Sequence, residues 1–218
     1  MVRGVVDSYK FTSIPELNAV LANYNVTDDR GHKGSTMFAK KGLLYWALDK
    51  NGNKAGIPIK ASSLYGSPTL KKLEAKFEIN RDRRKSYKEL LRNSINRVMK
   101  TKASPAGFQQ ALTSKGIDVI FRKNEQGRLY GVTFIDHNTR SVFNGSDLGK
   151  AYSANALNQW FLQSKFTNEK NESTLLTSIF LIVQNLTKSN WICYMITKII
   201  LHFILSFMNI LYVFSHPL

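Results

Sequence analysis

What this sequence lacks narrows it first. Cysteine is all but absent: Cys193 stands alone among 218 residues. That excludes an intramolecular disulfide framework and any cysteine-cluster zinc site, and it fits a reducing compartment. The thiol lies in an apolar run, a setting that leaves a cysteine inert. Histidines are few and scattered, at His32, His137, His202 and His216, so neither a His-x-His pair nor a His-Glu-x-x-His motif exists. Asp28-Asp29 is the one carboxylate pair that suggests a metal, but adjacent side chains point apart, and a solvated loop is expected there. Neither Gly31/Gly34 nor Gly66-Ser67 has the pattern of a phosphate-binding loop. Residue types alone therefore assemble no catalytic site, no metal site and no cofactor site.

Negative charge is the other shortage. Against 31 Lys and Arg stand 15 Asp and Glu, a formal net charge of +16 with a pI near 9.9. The first 166 residues hold 28 of the basic and 13 of the acidic side chains, so the body of the chain carries nearly all of the excess. Such a surplus attracts polyanions, nucleic acid foremost and anionic membrane second. The start, Met1 to Asp7, has no apolar run of leader length, and the body is expected in the cytoplasm.

The chain is organised around Ser104 to Leu148. Ser104-Pro105 is a helix start, with a hydroxyl to cap orphan amides and a proline tolerated in the first turn. Phe108, Ala111 and Leu112 recur on one helical face, and Gly116 supplies the stop. Two β-rich runs follow, Ile117–Phe121 and Leu129–Phe134, joined by the turn chemistry of Asn124-Glu125-Gln126-Gly127. Asn144-Gly145-Ser146-Asp147 closes the unit and opens another helix.

A weaker copy lies upstream. Pro15, Leu17, Val20, Leu21 and Val26 match Pro105, Phe108, Ala111, Leu112 and Ile117 approximately. Gly56-Ile57-Pro58-Ile59 then aligns with Gly131-Val132-Thr133-Phe134, and Gly66-Ser67 with Gly145-Ser146. On that alignment the first copy holds roughly 16 extra residues near Thr27 to Lys41. Either the chain carries two pseudo-repeated helix–hairpin units, or two such units look alike by chance.

Elsewhere, residues 1–12 read as a short β-prone start. Ser13-Ile14-Pro15-Glu16 has the form of a capping box, opening a helix to about Asn23. Thr27 to Lys41 reads as a long loop bearing Arg30, Lys33, Lys40 and Lys41. Leu43–Leu48, Asn51-Gly52 and Ala55–Lys60 form the clearest hairpin, its first strand apolar on both faces and so expected to be central. Pro68 starts a helix through Leu70, Leu73 and Phe77. Asn80 is placed to cap a longer helix, about Arg81 to Lys100, with Tyr87, Leu90, Leu91, Ile95 and Val98 as its buried stripe. On that helix Arg81, Lys85, Lys88 and Arg92 align into one basic ridge. The last hairpin adds Arg122, Lys123 and Arg128. Ala151 to Phe161 forms a further amphipathic helix.

Composition changes at about Ser164. Lys165 to Glu172 is polar, and Ile, Leu, Phe and Asn dominate beyond it. Trp191 to Phe214 is long enough to span a bilayer, although Lys198, His202 and Asn209 interrupt it. It is read either as a membrane span or as a tail not folded with the body, such as a frame-shifted end. The expected architecture is α+β, helices packed on β-hairpins. Residues 1–164 form the body, with sub-units about 11–77 and 104–161 joined by helix 81–100, and 165–218 form a hydrophobic helical tail.

Several stretches resemble the relaxase (mobilization nuclease) family of conjugative and mobilizable elements. They are Phe11-Thr12-Ser13 with Glu16-Leu17-Asn18-Ala19-Val20-Leu21, Gly42-Leu43-Leu44-Tyr45, and Pro58-Ile59-Lys60-Ala61-Ser62. Phe108, Leu112, Gly116-Ile117, Gly131–Phe134 and Phe143-Asn144-Gly145-Ser146-Asp147-Leu148-Gly149 with Tyr152-Ser153 continue the likeness, which covers about Val6 to Phe161. The resemblance implies a protein that nicks one DNA strand at a transfer origin. In that family a tyrosine attacks the phosphodiester, and a histidine cluster holds a divalent metal such as Mg²⁺ or Mn²⁺. No tyrosine or histidine here matches those motifs, which belong to the family's N-terminal part, so the sequence is expected to begin after them. The implied protein is the DNA-handling rear portion of a relaxase, or a truncated remnant.

Its expected DNA contacts are Arg30, Lys33, Lys40, Lys41, Arg81, Lys85, Lys88, Arg92, Arg122, Lys123 and Arg128. Its expected partners are single-stranded or origin-of-transfer DNA and accessory mobilization proteins. Two further readings stay open: an active metal-dependent nuclease with a non-standard site, and a small basic protein anchored in the inner membrane through 191–214.

Overall fold

The computed structural model describes residues 1–101 and 104–187 together with 198, 199 and 202. Apart from those last three, the apolar stretch 191–214 lies outside the described residues, as do Cys193 and His216. The chain divides into two units, Met1–Ser164 and Lys165–Leu218.

Met1–Ser164 is α+β, with helices set against two three-stranded antiparallel sheets. The chain opens on α1 (Val2–Ser8), where a β-prone segment was expected. Val2, Val5, Val6 and Tyr9 recur at helical spacing, and burial of Val5, Val6 and Tyr9 outweighs the β-preference of the valines. Helix α2 (Ile14–Ala22) follows, with Ser13 as its N-cap and Pro15 in its first turn.

Asn25, at φ 55°, turns the chain into β1 (Val26–Asp29), and α3 (Thr36–Ala39) lies beyond it. The expected long loop is thus part strand and part helix, because Val26 to Asp29 pairs with the following strand instead of facing solvent. Strands β2 (Leu44–Leu48) and β3 (Lys54–Lys60) complete the sheet in the order β1-β2-β3, with β2 central as expected. A 3-10 turn, Ala61–Ser63, closes this part.

The connection between sub-units differs from the single helix expected at Arg81–Lys100. Helix α4 (Leu70–Arg83) ends, a 3-10 turn spans Lys85–Tyr87, and α5 (Lys88–Met99) begins. Asn80 is no cap: it lies buried within α4, and its Nδ2 donates to the Phe11 carbonyl at 2.9 Å. The break has a packing cause. Leu70 and Leu73 of α4 belong to one hydrophobic core, whereas Leu91, Ile95 and Val98 of α5 belong to another. Leu90, expected in the buried stripe, is exposed.

The second sheet follows α6 (Pro105–Thr113), which Ser104 caps by accepting from Gly107 N–H. Its strands are β4 (Ile117–Lys123), β5 (Leu129–Asp136) and β6 (Ser141–Asn144), again in simple meander order. Strand β6 was not expected. Side chains of β5 alternate between the two cores: Val132 and Phe134 enter the second, Ile135 the first. Short α7 (Gly145–Leu148) and α8 (Ala154–Thr187) follow. Within Lys165–Leu218, Leu175, Leu176, Ile179, Phe180, Leu181 and Ile182 are exposed. Among the described residues no helix is long and apolar enough to cross a membrane.

Candidate nucleic-acid interface

In the first sheet, the approach to β2 is shaped by Gly42. Its N–H donates to the Met37 carbonyl at 2.8 Å, and a Cβ there would lie 2.7 Å from Met37 Cγ. The chain therefore packs flat against α3, and Lys40 and Lys41 are carried to the rim of a cleft of about 320 Å³. Lys60, at the end of β3, lines it from the other side, with Ser62 and Thr69. No carboxylate lines this cleft. Lys41 alone has an anionic neighbour, Glu74 at 3.9 Å, and both side chains are exposed, a pair worth little in water. Of the other cations in this segment, Arg30 lies 4.7 Å over the Phe38 ring and Lys33 is exposed.

The second sheet carries a larger cleft, about 600 Å³, lined by Arg122, Tyr130, Gly131, Asn144, Ser146 and Asn155 among others. Arg122 crosses the sheet so closely to Gly131 that a Cβ on the glycine would sit 2.6 Å from its Nε. Its Nη2 donates to Thr133 Oγ1 at 3.0 Å and to Asn144 Oδ1 at 3.3 Å. Tyr130 is 66% exposed. Lys123 and Arg128 stand exposed at the hairpin end of the same sheet.

The two sheets follow one plan. Ser13 and Ser104 cap helices 91 positions apart, and the same interval relates Leu17 to Phe108 and Val26 to Ile117. Asn25 and Gly116, at that interval too, both take positive φ. Asn18 Nδ2 donates to the Asp28 carbonyl at 3.3 Å, and its counterpart Gln109 Nε2 donates to the Val119 carbonyl at 3.0 Å. Cross-strand register then pairs Asp28 with Tyr45 and Val119 with Phe134, so β2 corresponds to β5 at an interval of 89. Tyr45 pairs with Ile59 and Phe134 with Phe143, so β3 corresponds to β6 at an interval of 84. The alignment of Gly56–Ile59 with Gly131–Phe134 is thereby corrected. It skipped β6, and the roughly 16 extra residues inferred from it shrink to two between the first and second strands.

The basic ridge does not survive as a single helical row. Arg81 lies on α4, Lys85 in the 3-10 turn, and Lys88 and Arg92 on α5. Three of the four also have carboxylate partners three residues earlier: Arg81 with Glu78, Lys85 with Asp82 and Arg92 with Glu89, each at 2.6 Å. Lys85 holds the Asp82 carboxyl below its usual range. Arg92 is further occupied by the Leu148 carbonyl at 2.5 Å from its Nε.

A tyrosine–histidine–aspartate chain also forms, which no sequence spacing announced. Tyr9 Oη and His137 Nδ1 are 2.7 Å apart, and His137 Nε2 lies 2.8 Å from Asp118 Oδ2. A nucleophile, a base and an orienting group can take this arrangement. Here, however, Tyr9 is 3% exposed, and burial pushes its hydroxyl above the ordinary phenol range. The chain anchors α1 to the second sheet and presents no reachable nucleophile. Among the described residues no three His, Cys, Asp or Glu side chains gather within ligating range.

Two buried acids complete the electrostatics. Asp28, expected in a solvated loop, lies on β1 and is buried. Burial raises its carboxyl to about 7, although Asn18 donates to Oδ1 at 3.0 Å, and Oδ2 has no hydrogen-bond partner. Glu16 was expected to close a capping box onto Ser13. Instead its Oε2 accepts from Thr12 N–H at 2.6 Å, and Oε1 takes Arg84 Nη1 at 2.8 Å and Asn144 N–H at 3.1 Å. Burial pushes the Glu16 carboxyl up, and Arg84 with the Thr12 and Asn144 amides pulls it back. Arg84 also donates to the Val142 carbonyl and, at 3.2 Å, to Asp147.

Comparison with protein-family models, with curated proteins and with solved structures returned no match. Of the sequence-derived cations, the fold gathers Lys40 and Lys41 in one cleft and sets Arg122 in the other. Lys60, Ser62, Tyr130 and Ser146 were missed. The repeat was the signal that could have found them, had its strands been paired in register.

Proposed function

We propose that Met1–Ser164 is the DNA-binding portion of a mobilization relaxase, a cytoplasmic protein that grips the sugar–phosphate backbone of single-stranded DNA near a transfer origin. The observation that carries this reading is the cleft of the first sheet, where Lys40, Lys41 and Lys60 converge and no carboxylate lines the walls. Three ammonium groups in a carboxylate-free depression suit a phosphate, since each neutralised phosphate releases condensed counterions. The overall charge of +16 supports the same partner by drawing the strand in before contact. Arg122, Lys123 and Arg128 would extend the cationic surface along the second sheet. Arg81, Lys85 and Arg92, tied to carboxylates, are assigned a lesser part than their sequence spacing gave them. The resemblance to relaxases supplies the biological setting, and accessory mobilization proteins remain its expected companions.

The test is a titration of fluorescently labelled single-stranded DNA with the full chain and with a Lys40→Ala/Lys41→Ala/Lys60→Ala variant. Each phosphate contact on a single strand contributes about 0.7 to the slope of log K against log salt. The triple variant is expected to bind more weakly and to lose about 2 from that slope. An unchanged affinity and slope would remove the lysine cleft from DNA binding.

A further inference from the structure

We infer that the cleft of the second sheet is a nucleobase subsite, the counterpart of the lysine cleft, and that the two together select single-stranded over duplex nucleic acid. The inference rests on the nucleic-acid reading above and adds to it a second site with a different chemistry.

Its first ground is positional. Part of the lining of each cleft corresponds under the intervals fixed by strand register. Lys41, Gly42 and Leu43 of the first cleft stand where Tyr130, Gly131 and Val132 stand in the second, and Lys60, Ala61 and Ser62 where Asn144, Gly145 and Ser146 stand. Gly145 is absent from the second cleft's wall, being buried, but it occupies the position of buried Ala61. The depression is therefore a feature of the repeated backbone, present twice, and only its side chains have diverged.

Its second ground is what replaced what. At the Lys41 position the second copy has Tyr130, an exposed ring on the rim. At the Lys60 position it has Asn144, whose Oδ1 accepts from Arg122 and from Thr133 Oγ1. Gly42 is covered by Met37 in the first copy, whereas Gly131 is covered by the Arg122 guanidinium in the second. Ammonium groups have thus given way to a planar cation, an exposed aromatic ring and an amide, while hydroxyls line both clefts, Ser62 and Thr69 in the first and Ser146 and Ser153 in the second. An aromatic face accepts any base by stacking, and a guanidinium in the same cleft can take the adjoining phosphate. Stacking requires an unpaired base, because a base inside a duplex presents no free face to a side chain.

The assignment makes the two clefts separable. Tyr130→Ala and Tyr130→Phe variants of the full chain are titrated with an oligonucleotide as single strand and as duplex at constant salt. Tyr130→Ala is expected to weaken single-strand binding on the order of tenfold, leave duplex binding and the salt slope unchanged, and be rescued by Phe. Circular dichroism melting of each variant establishes that the fold is retained, which an exposed position on β5 predicts. If Tyr130→Ala binds single strands as the parent does while the lysine variant loses affinity and slope, the second subsite is wrong and the DNA-binding reading stands. If neither variant changes binding, the DNA-binding reading itself falls. If Tyr130→Ala weakens single strand and duplex equally, base stacking is overturned in favour of a general surface contact.

Discussion

The two halves of the body share a backbone plan and differ in what they bury. Where the second repeat has Val119 in its core, the first has Asp28; where the second has Gly107 in the first turn of its helix, the first has Glu16. The second buries Phe108, Phe134, Phe143 and Leu148 fully or almost fully, and its one buried carboxylate, Asp136, is met locally by Asn138 N–H and Thr139 Oγ1. The first holds two carboxylates that burial disfavours. Evenly repeated packing would have given two self-sufficient halves. Instead one acid of the first half leans on the second, for Glu16 finds Asn144 of β6, and Arg84 beside it reaches Val142 and Asp147. The contrast shows how a repeat becomes one unit: the copies differ at the positions that bind them together.

Removing Arg84 should break that union with the largest effect. Arg84 is 7% exposed and satisfies Glu16, Asp147 and the Val142 carbonyl at once, while its guanidinium lies 4.5 Å over the Phe143 ring. Arg84→Ala strands a buried carboxylate, a change that costs about 3–5 kcal/mol. Urea unfolding of the variant should show a correspondingly lower midpoint at a similar slope. A loss below about 1 kcal/mol would mean that the ion centre does not join the halves.

Asp28 sharpens the contrast through pH. Its carboxyl ionises near 3.8 in the unfolded chain and about 7 in the fold. The stability that goes with the folded, protonated form is complete below the unfolded value and is lost as pH rises through about 7. A tenfold difference in proton affinity between fold and unfolded chain is worth about 1.4 kcal/mol. Between pH 5 and pH 8 the parent should therefore weaken by on the order of 3 kcal/mol more than Asp28→Asn. Unfolding both proteins at those two pH values measures the difference. Parallel profiles would show that the carboxyl reaches water in the native state. Val119 offers no group to titrate, and the second repeat has no matching dependence.

How much of this was legible follows from where the signals were local. The Ser13 and Ser104 caps, the Asn51-Gly52 and Asn124–Gly127 turns and the Gly116 stop depend on a few neighbouring residues, and each is where its chemistry places it. Strand β6 was missed because Ser141–Asn144 is four residues long, too short for alternation to register. Helix α1 was misread because valine propensity is a weak guide once one helical face can be buried. The unbroken helix through Arg84 failed because the choice between two cores is tertiary. The same failure misled the candidate site. Arg81, Lys85, Lys88 and Arg92 formed a ridge on paper, whereas Lys60 and Tyr130 reached their clefts only through strand register.

The finest test of the comparison lies in its paired glycines. Gly42 and Gly131 occupy equivalent positions, and a methyl group at either meets an atom within van der Waals distance, but the obstacles differ. At Gly42 the added Cβ would lie 2.7 Å from Met37 Cγ and 3.2 Å from the Met37 carbonyl oxygen, which is backbone. That carbonyl also accepts the Gly42 N–H, so neither can retreat without loss of the bond. At Gly131 the contacts are 2.6 Å to Arg122 Nε and 3.2 Å to its Nη2, atoms at the far end of a flexible chain beside an open cleft. Overpacking that must move backbone costs about 1–3 kcal/mol, whereas a side chain that can swing aside relieves most of the clash. Gly42→Ala should therefore destabilise the body in that range. Gly131→Ala should cost less than about 1 kcal/mol and still weaken single-strand binding, because Arg122 would be lifted from Thr133 and Asn144. Equal costs for the two alanines in urea unfolding would mean that Arg122 is as fixed as the Met37 backbone.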